Sequence, residues 1–310
     1  MRRDKAIYVK RATSLETQIT TLRDRGVVIA DEEKAKEFLL DIGYYRLGFY
    51  IHPFEKTYPL LDKRRRHDVL PLTTLEQIIA FYYYNMDLRN ILNKYLARIE
   101  IALRTVMVYE LSNKYSSNPY WYVTESIVDK SFISEFQNIY RKTIQTKEPI
   151  KRHHRKYQGN FAPVWKTMEY TTFGNLEALY SNLLLNADKC LISNRFEEPA
   201  INKFKNYMSV MREVRNSCAH GNMIVGLTLT NNVEAGSKAC PSIEINSQNT
   251  FKSALRIIDY MIKRVSVNRA NDMWVDIYKA TAELYAKAPS LQTLVEKKTG
   301  IVLPSVDSRK

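Results

Sequence analysis

The amino-acid sequence predicts an all-α protein, a helical bundle with N- and C-terminal helical extensions and at most a short β-hairpin. Glycine and proline are scarce: the 310 residues include 9 Gly and 10 Pro, and most of the prolines lie between apolar-periodic segments. Within those segments apolar residues recur at the spacing of one helical face. The 45% of hydrophobic residues suffice for one sizeable core or two modest ones. We therefore expect long helices joined by short loops.

The first helices are predicted by their start signals. After a basic N-terminal segment, a short helix is expected at residues 14–25 and a second at residues 32–42. Asp31 is the predicted N-cap of the second, because its carboxylate can accept hydrogen bonds from the free N–H groups of the first turn. The next five residues, 43–47, are Gly-Tyr-Tyr-Arg-Leu and are predicted to form an aromatic turn.

The clearest helix is predicted from residue 74 to residue 114, with a single break near Asn85 left open. Its buried face comprises apolar residues at helical spacing: Leu88, Ile91, Leu92, Tyr95, Leu96, Ile99, Leu103, Val106 and Met107. Beside that face runs a polar stripe made of Arg89, Asn93, Ala97, Glu100 and Arg104. Glu100 and Arg104 have the favourable order for an i,i+4 ion pair, which is either a solvated surface salt bridge or a functional pair.

The rest of the chain is also predicted to be mainly helical. Helices are expected at residues 131–141, 164–185, 202–214, 251–265 and 273–297. A loop with Pro149 and a dense basic run separates the first two. Residues 224–231 and 242–246 are short strands or irregular loop, and a polar tail begins at Pro304. We divide the chain into an N-terminal helical and basic segment (1–70), a helical core (71–225) and a C-terminal hairpin or loop with a helical extension (226–310).

The charge balance narrows the choice of partners. Lys and Arg number 47 against 33 Asp and Glu, so the formal net charge is +14, which favours polyanions such as nucleic acid or an anionic membrane. No apolar stretch approaches the roughly 18 residues of a membrane span, and no secretory signal is visible, so we expect a cytoplasmic protein and no membrane partner. Cys190, Cys218 and Cys240 are widely spaced and form no C-x-x-C pair, which predicts reduced thiols and no metal site.

Residues 215–220, Arg-Asn-Ser-Cys-Ala-His, are the candidate catalytic centre. An imidazole such as that of His220 can both take and give a proton near neutral pH, as cleavage of a phosphodiester through its own 2′-hydroxyl requires. The guanidinium fork of Arg215 can bind two phosphate oxygens and stabilise the charge that builds on them in the transition state. Chemistry by these two side chains needs no cofactor.

The spacing of Arg215 and His220 sets a geometric condition. On a regular helix, five residues place two side chains roughly 140° apart. The pair therefore converges only if the helix ends or bends between them, which Gly221 favours, or if two copies of the chain meet across a two-fold interface.

The basic run is the candidate contact for an RNA backbone. It consists of Lys151, Arg152, His153, His154, Arg155 and Lys156. Such a run supplies sequence-independent affinity for phosphates, but it is also common on an ordinary solvated surface, and the sequence leaves both interpretations open.

The hexad resembles the R-N-x-x-x-H signature of the HEPN superfamily of ribonucleases and nucleotide-binding proteins. The chain more specifically resembles bacterial abortive-infection proteins of the AbiD/AbiF type. The stretches that carry this resemblance, in order, are residues 40–47 (Leu-Asp-Ile-Gly-Tyr-Tyr-Arg-Leu), 87–89 (Asp-Leu-Arg), 99–105 (Ile-Glu-Ile-Ala-Leu-Arg-Thr), 163–165 (Pro-Val-Trp) and 173–176 (Phe-Gly-Asn-Leu). Together with the hexad, these stretches are distributed in order over most of residues 35–225. One departure is that His220 is followed by Gly-Asn-Met instead of a basic residue.

The resemblance implies a HEPN-like all-α bundle that dimerises and brings two motif copies together. It implies kinship with the nuclease domains of type VI CRISPR effectors and RNA cleavage used as a growth-arresting or phage-defence toxin. On the matching positions, Arg215 and His220 become the catalytic pair, Asn216 a residue that orients them, and Glu100 with Arg104 a supporting pair that faces the site.

Two functions follow from these observations. The first is a metal-independent endoribonuclease toxin that cleaves RNA with Arg215 on the phosphate and His220 as acid and base. The alternative is a non-catalytic RNA-binding module that binds, or is restrained by, a small RNA and has no need of His220. An adaptor that binds protein explains the basic excess less well.

Overall fold

The computed structural model of the chain describes residue 9 and residues 11–61 and 63–304. In that part the chain is all-α, as predicted: it forms thirteen α-helices, and its only β-pairings are isolated bridges. The basic start of the chain and the tail beyond residue 304 lie outside the described residues. No helix in the described ranges combines the length and apolar composition needed to cross a bilayer.

The chain divides into two compact units. The first comprises residues 1–86 and 282–292, and the second comprises residues 87–281 and 293–310. The three-part division at residues 70 and 225 stays a prediction.

The first unit contains three short helices: α1 (Leu15–Asp24), α2 (Glu32–Ile42) and α3 (Tyr44–Ile51). The first two confirm the sequence prediction. Ser14 caps α1, and the carboxylate of Asp31 accepts a hydrogen bond from the backbone N–H of Lys34 at 3.0 Å. The predicted aromatic turn at residues 43–47 was wrong. Only Gly43, with φ of 84°, interrupts the helical conformation between α2 and α3, and the aromatic residues after it form α3.

Helix α4 (Leu75–Lys114) is a single unbroken element of 40 residues that belongs to both units along the chain. The break that the sequence left open at Asn85 does not occur. Asn85 Nδ2 donates to the hydroxyl of Tyr50 at 3.0 Å, so its side chain bonds across the core of the first unit instead of competing with its own helix. The predicted apolar face is largely buried, including Leu88, Leu92, Leu96, Ile99 and Leu103.

The second unit is built from the C-terminal part of α4 and the helices that follow. These are α5 (Lys130–Ile139), α6 (Glu148–Lys156), α7 (Val164–Thr167), α8 (Phe173–Asn182), α9 (Asn186–Asn194), α10 (Ile201–Ala219), α11 (Phe251–Val265), α12 (Val267–Lys287) and α13 (Gln292–Thr299). The end of α12, from residue 282, and the first residue of α13 belong to the first unit. A π-helical turn, Tyr140–Ile144, follows α5. Helix α10 packs against α8, α9 and α11, so the helix that carries the hexad is held from several sides.

Three predictions about this unit were wrong. The basic run is not a loop but forms α6. The helix predicted at 164–185 is divided, because the Thr172 hydroxyl caps a new helix by accepting from the N–H of Asn175. The helix predicted at 273–297 begins at Val267, ends at Lys287 and is separated from α13 by a turn that starts with Pro289. Helix α9 was not predicted at all.

The segment between α10 and α11 is irregular, one of the two structures that the sequence left open. Its only β-pairing among the described residues is the bridge between Thr228 and Thr250. Glu213 of α10 anchors the segment by accepting a hydrogen bond from the backbone N–H of Thr230 at 2.6 Å.

Candidate active site

Helix α10 leaves four residues of the hexad at least partly accessible and buries Ser217 and Cys218. Its inward face is buried and includes Phe204, Met208, Met211, Val214 and Cys218. Arg215 and Asn216 lie at intermediate depth, and Ala219 and His220 are exposed. The helix therefore uses its apolar face for packing and leaves the basic and amide side chains of the motif accessible.

The helix ends directly after the motif through a Schellman arrangement. The N–H of Asn222 donates to the carbonyl of Ser217 at 3.0 Å, and the N–H of Gly221 donates to the carbonyl of Cys218 at 3.2 Å. Gly221 adopts φ of 72°, a left-handed conformation that favours glycine at this position. His220 is the C-cap of the helix, with φ of −84° and ψ of 4°. The predicted helix end near Gly221 is confirmed.

The position of that end bears on the convergence of the catalytic pair. Residues from Arg215 to Ala219 are continuously helical, and the N–H of His220 still donates to the carbonyl of Asn216 at 2.9 Å. The helix thus ends after the motif and not between its two key residues. One copy therefore presents Arg215 and His220 about 140° apart around the helix axis and about 7.5 Å apart along it.

Arg89 holds the end of α10 from α4. Its Nη1 atom donates to the carbonyls of Gly221 at 3.1 Å and Asn222 at 3.2 Å, and the Arg89 residue is only 7% exposed. These charge-assisted bonds fix the backbone immediately after His220. The sequence placed Arg89 in the polar stripe but gave it no role. Its partners lie more than 130 positions away in the chain, so spacing could not identify them.

Cys218 is the residue of the hexad that burial makes inert. Burial raises the pKa of its thiol to about 12, against a smaller lowering by the nearby Arg89 guanidinium. A thiol is a weak nucleophile until it ionises, so Cys218 does not supply a thiolate at neutral pH. Arg215, Asn216 and His220 remain the candidate catalytic side chains of the motif.

Arg215 has no carboxylate partner within the described ranges. Its Nη1 makes one long hydrogen bond, 3.4 Å, to Oδ1 of Asn216. This contact fits the orienting role that the resemblance implies for Asn216. The His220 imidazole has no hydrogen-bond partner among the described residues and is exposed to solvent. The motif thus offers an imidazole without a hydrogen-bond partner and a guanidinium held by one long hydrogen bond.

Glu100 and Arg104 form an ion pair on α4, with Arg104 Nη2 2.9 Å from Oε1 of Glu100. Their side chains are only 14% and 11% exposed, so this is not a fully solvated surface pair. Arg104 Nη2 also donates to the carbonyl of Thr171 at 3.1 Å, just before α8. In the described part of the chain neither side chain bonds to Arg215 or His220. The pair connects α4 to the start of α8.

A second ion pair, which the sequence did not reveal, joins α8 to α10. Arg212 Nε contacts Glu177 Oε2 one helical turn before the motif. Gly174 lies beside it, where an added Cβ would stand 3.6 Å from Cδ of Arg212. That is an ordinary contact distance, so the glycine is not required for this approach, and no signal in the sequence indicated the pair.

The basic residues of α6 divide into inward and outward groups. Lys151, Arg152, Arg155 and Lys156 are exposed. His154 is half-buried, and its Nε2 lies 2.8 Å from the Tyr140 hydroxyl. His153 points inward at 5% exposure, and both of its ring nitrogens are buried without a hydrogen-bond partner. The helix therefore presents four cations outward instead of six basic side chains on a loop.

The described residues contain no group of three or more His, Cys, Asp or Glu side chains that could hold a metal ion.

Of three comparisons with known proteins, one gives a match. No curated protein and no solved structure matches the chain. The family described as Abi-like protein matches residues 37–225, more than half of the chain, and this range includes α4, α8 and the whole of α10 with its motif. The chain therefore belongs to the Abi-like protein family, which associates it with abortive infection in phage defence.

Proposed function

We propose that this protein is a metal-independent endoribonuclease of the HEPN type that acts as a toxin in abortive infection. The observation that carries the proposal is the pairing of Arg215, which has no carboxylate partner among the described residues, with the exposed and unengaged imidazole of His220. A guanidinium without a carboxylate partner and a proton-transferring imidazole, brought together from two copies of the chain, suit the cleavage of a phosphodiester. The R-N-x-x-x-H pattern and the Abi-like family support the same assignment.

The cleavage step uses the 2′-hydroxyl of RNA as the nucleophile. His220 takes the proton of the 2′-hydroxyl as its oxygen attacks phosphorus. The bond between phosphorus and the 5′ oxygen breaks, and the imidazolium returns the proton, through water, to that departing oxygen. Arg215 holds the non-bridging oxygens and stabilises the charge that accumulates on them. The products are a 2′,3′-cyclic phosphate and a 5′-hydroxyl.

Two copies of the chain build each cleavage centre in this proposal. Because α10 is regular through the motif, one copy presents Arg215 and His220 in directions about 140° apart. A two-fold pairing resolves this separation by setting Arg215 of one copy against His220 of the other. The homodimer is thus a requirement of the chemistry and not an addition to it.

The outward cations of α6 hold the RNA backbone. Lys151, Arg152, Arg155 and Lys156 supply affinity that does not depend on sequence. Glu148 at the start of the helix offsets part of this charge, since Arg155 Nη1 lies 3.3 Å from its carboxylate.

The test is cleavage of total RNA by the purified protein in the presence of EDTA. We expect wild type to cut and to leave 2′,3′-cyclic phosphate ends. We expect His220→Ala and Arg215→Ala each to lower the rate by about 100-fold or more. Lys205→Ala, an exposed cation on the same helix, is the matched control and should cut like wild type. Intact RNA with wild type, or equal cleavage by His220→Ala, contradicts the proposal.

A non-catalytic RNA-binding module is the second candidate, favoured by the exposed cations of α6, which need no catalytic partner. In that case wild type binds RNA without cutting it. His220→Ala then leaves both the affinity and the cellular effect unchanged.

A further inference from the structure

The first unit contains a surface cavity that the proposed cleavage reaction does not use. Its volume is about 240 Å³. Small-molecule pockets typically span about 300–1,000 Å³, so this cavity suits a flat fragment such as one nucleobase better than a complete nucleotide. Its lining combines aromatic rings with arginine side chains, and the residues that define it include Arg25, Tyr44, Tyr45, Gly48, Phe49 and Arg65.

Two aromatic rings of α3 form an exposed wall. Tyr45 is 83% exposed and Phe49 is 53% exposed, although both are large apolar side chains. They lie one helical turn apart, with ring centroids 5.4 Å apart at an edge-to-face angle of 86°. The fold gains little from rings left in water, whereas rings of this kind are the platforms on which unstacked bases pack.

Gly48 also lines the cavity and places no side chain in it. It lies between the aromatic residues on α3, and a Cβ added there would meet no atom within 4 Å. Glycine weakens a helix interior relative to alanine, and the φ of Gly48 is not positive, so local backbone geometry does not require it. Its effect is to leave space beside Tyr45 and Phe49.

Two arginine side chains also line the cavity. The Arg25 guanidinium lies 6.0 Å from the ring centroid of Tyr44 and has no carboxylate partner in the described part of the chain. Arg65 is held by two hydrogen bonds to Glu55, from Nε at 2.7 Å and Nη2 at 2.8 Å. Burial acts to raise the pKa of Glu55, but hydrogen bonds from Arg65 and His67 outweigh it and leave that pKa lowered.

The carboxylate of Glu55 is therefore fully engaged, and the charge of Arg25 remains uncompensated. Of the two arginines that line the cavity, Arg25 is thus the one available to a phosphate.

The geometry points to a binding site for one unstacked base of single-stranded RNA, packed on Tyr45 and Phe49 with a neighbouring phosphate against Arg25. This inference rests on the proposed function in one respect, namely that RNA is the partner, and it adds that the strand is single. Duplex RNA keeps its bases stacked and paired, so it cannot insert one into the cavity.

The experiment measures binding of a fluorescent 20-nucleotide single-stranded RNA and of the corresponding 20-base-pair duplex by full-length protein carrying His220→Ala, which separates binding from cleavage. We expect Tyr45→Ala and Phe49→Ala each to weaken single-strand binding by about 5- to 100-fold, the effect of losing one stacking ring. Gly48→Leu fills the cavity and should weaken it similarly. Duplex binding should change by less than about twofold, because it depends on phosphate contacts alone.

Leu40→Ala is the matched control, because Leu40 is 74% exposed in the same unit and does not line the cavity. Unchanged single-strand affinity in Tyr45→Ala and Gly48→Leu overturns the inference. So does an equal loss for duplex, or a change of oligomeric state in place of a change of affinity, which would identify the rings as a protein contact.

The two proposals can fail separately. If wild type does not cut RNA but the single-strand pattern holds, the ribonuclease proposal fails and the base site stands. If wild type cuts and the cavity variants bind normally, the base site fails alone.

Discussion

Arg89 is the residue on which the geometry after His220 depends most directly. It is buried on α4, and its guanidinium reaches two consecutive carbonyls that follow the motif. No periodicity could reveal this contact, because the partners are brought together only by the tertiary fold. The sequence therefore predicted the candidate catalytic residues Arg215 and His220. It did not predict the side chain that holds the backbone beside them.

Replacing Arg89 tests this support. Arg89→Met keeps the apolar stem but removes both charge-assisted hydrogen bonds, which should lower the free energy of unfolding by about 2–4 kcal/mol. RNA cleavage should fall as well, because His220 loses its fixed backbone. Chemical denaturation and the cleavage assay measure the two effects. Arg89→Lys, which retains the charge, should lie between wild type and Arg89→Met, and wild-type stability in Arg89→Met contradicts the assignment.

Cys218 gives a prediction about reactivity. With its pKa raised to about 12 by burial, the thiol stays protonated far above neutral pH. Native protein treated with iodoacetamide at pH 8 should therefore remain unmodified at Cys218, while Cys190, which is partly accessible, reacts first. Peptide mass spectrometry reads out both sites, and unfolding the protein should expose Cys218. Equal labelling of Cys218 in native and unfolded protein contradicts the burial.

At the scale of elements, helices with clear signals were predictable. Asp31 and the apolar spacing located α2, and the long periodic face located α4 and α11. Helix α6 was missed because its sequence is almost entirely charged, so the apolar period is invisible. Its only buried side chains are Ile150 and His153. Packing of these two against the rest of the second unit stabilises a helix that helix propensity alone would not stabilise.

The inward position of His153 makes α6 sensitive to pH. Burial lowers its pKa, with smaller contributions from Lys166 and His154, which face it. In the unfolded chain a histidine has a pKa of about 6.5, so as the pH falls through that value the unfolded state binds the proton first. The contribution of His153 to stability is thus present above about pH 6.5 and is lost on acidification.

Thermal unfolding at pH 7.5 and pH 5.5 measures this effect. His153→Leu keeps an apolar group at the site and removes the titration, so its Tm should fall less between the two pH values than that of wild type. An equal fall in both proteins contradicts the role of His153.

The Glu100–Arg104 ion pair is expected to stabilise the junction of α4 and α8. Arg104→Ala leaves the largely buried Glu100 without its partner and should cost about 3–5 kcal/mol of unfolding free energy. Replacing both residues by leucine should cost clearly less, because no unpaired charge remains. Denaturation of the two variants separates these outcomes. If the double variant also cleaves RNA like wild type, the pair acts on the fold and not on the site.

At the scale of the molecule, the sequence predicted the fold class and the motif, and the structure changed how the two relate. The helix end near Gly221 was predictable from glycine chemistry. The end lies after His220 and not between Arg215 and His220, a choice that the sequence left open. This one difference keeps Arg215 and His220 apart within a copy and makes the dimer necessary for the proposed cleavage.

The central claim is therefore that Arg215 and His220 act on one phosphate from two copies of the chain. The most direct measurement is RNA cleavage by an equimolar mixture of Arg215→Ala and His220→Ala proteins, refolded together so that subunits exchange. Each variant alone should be inactive. Half of all dimers in the mixture then carry one copy of each variant, and each of these rebuilds one of its two centres, so the mixture should recover about one quarter of wild-type activity. A mixture that forms mixed dimers yet stays as inactive as its components contradicts the claim.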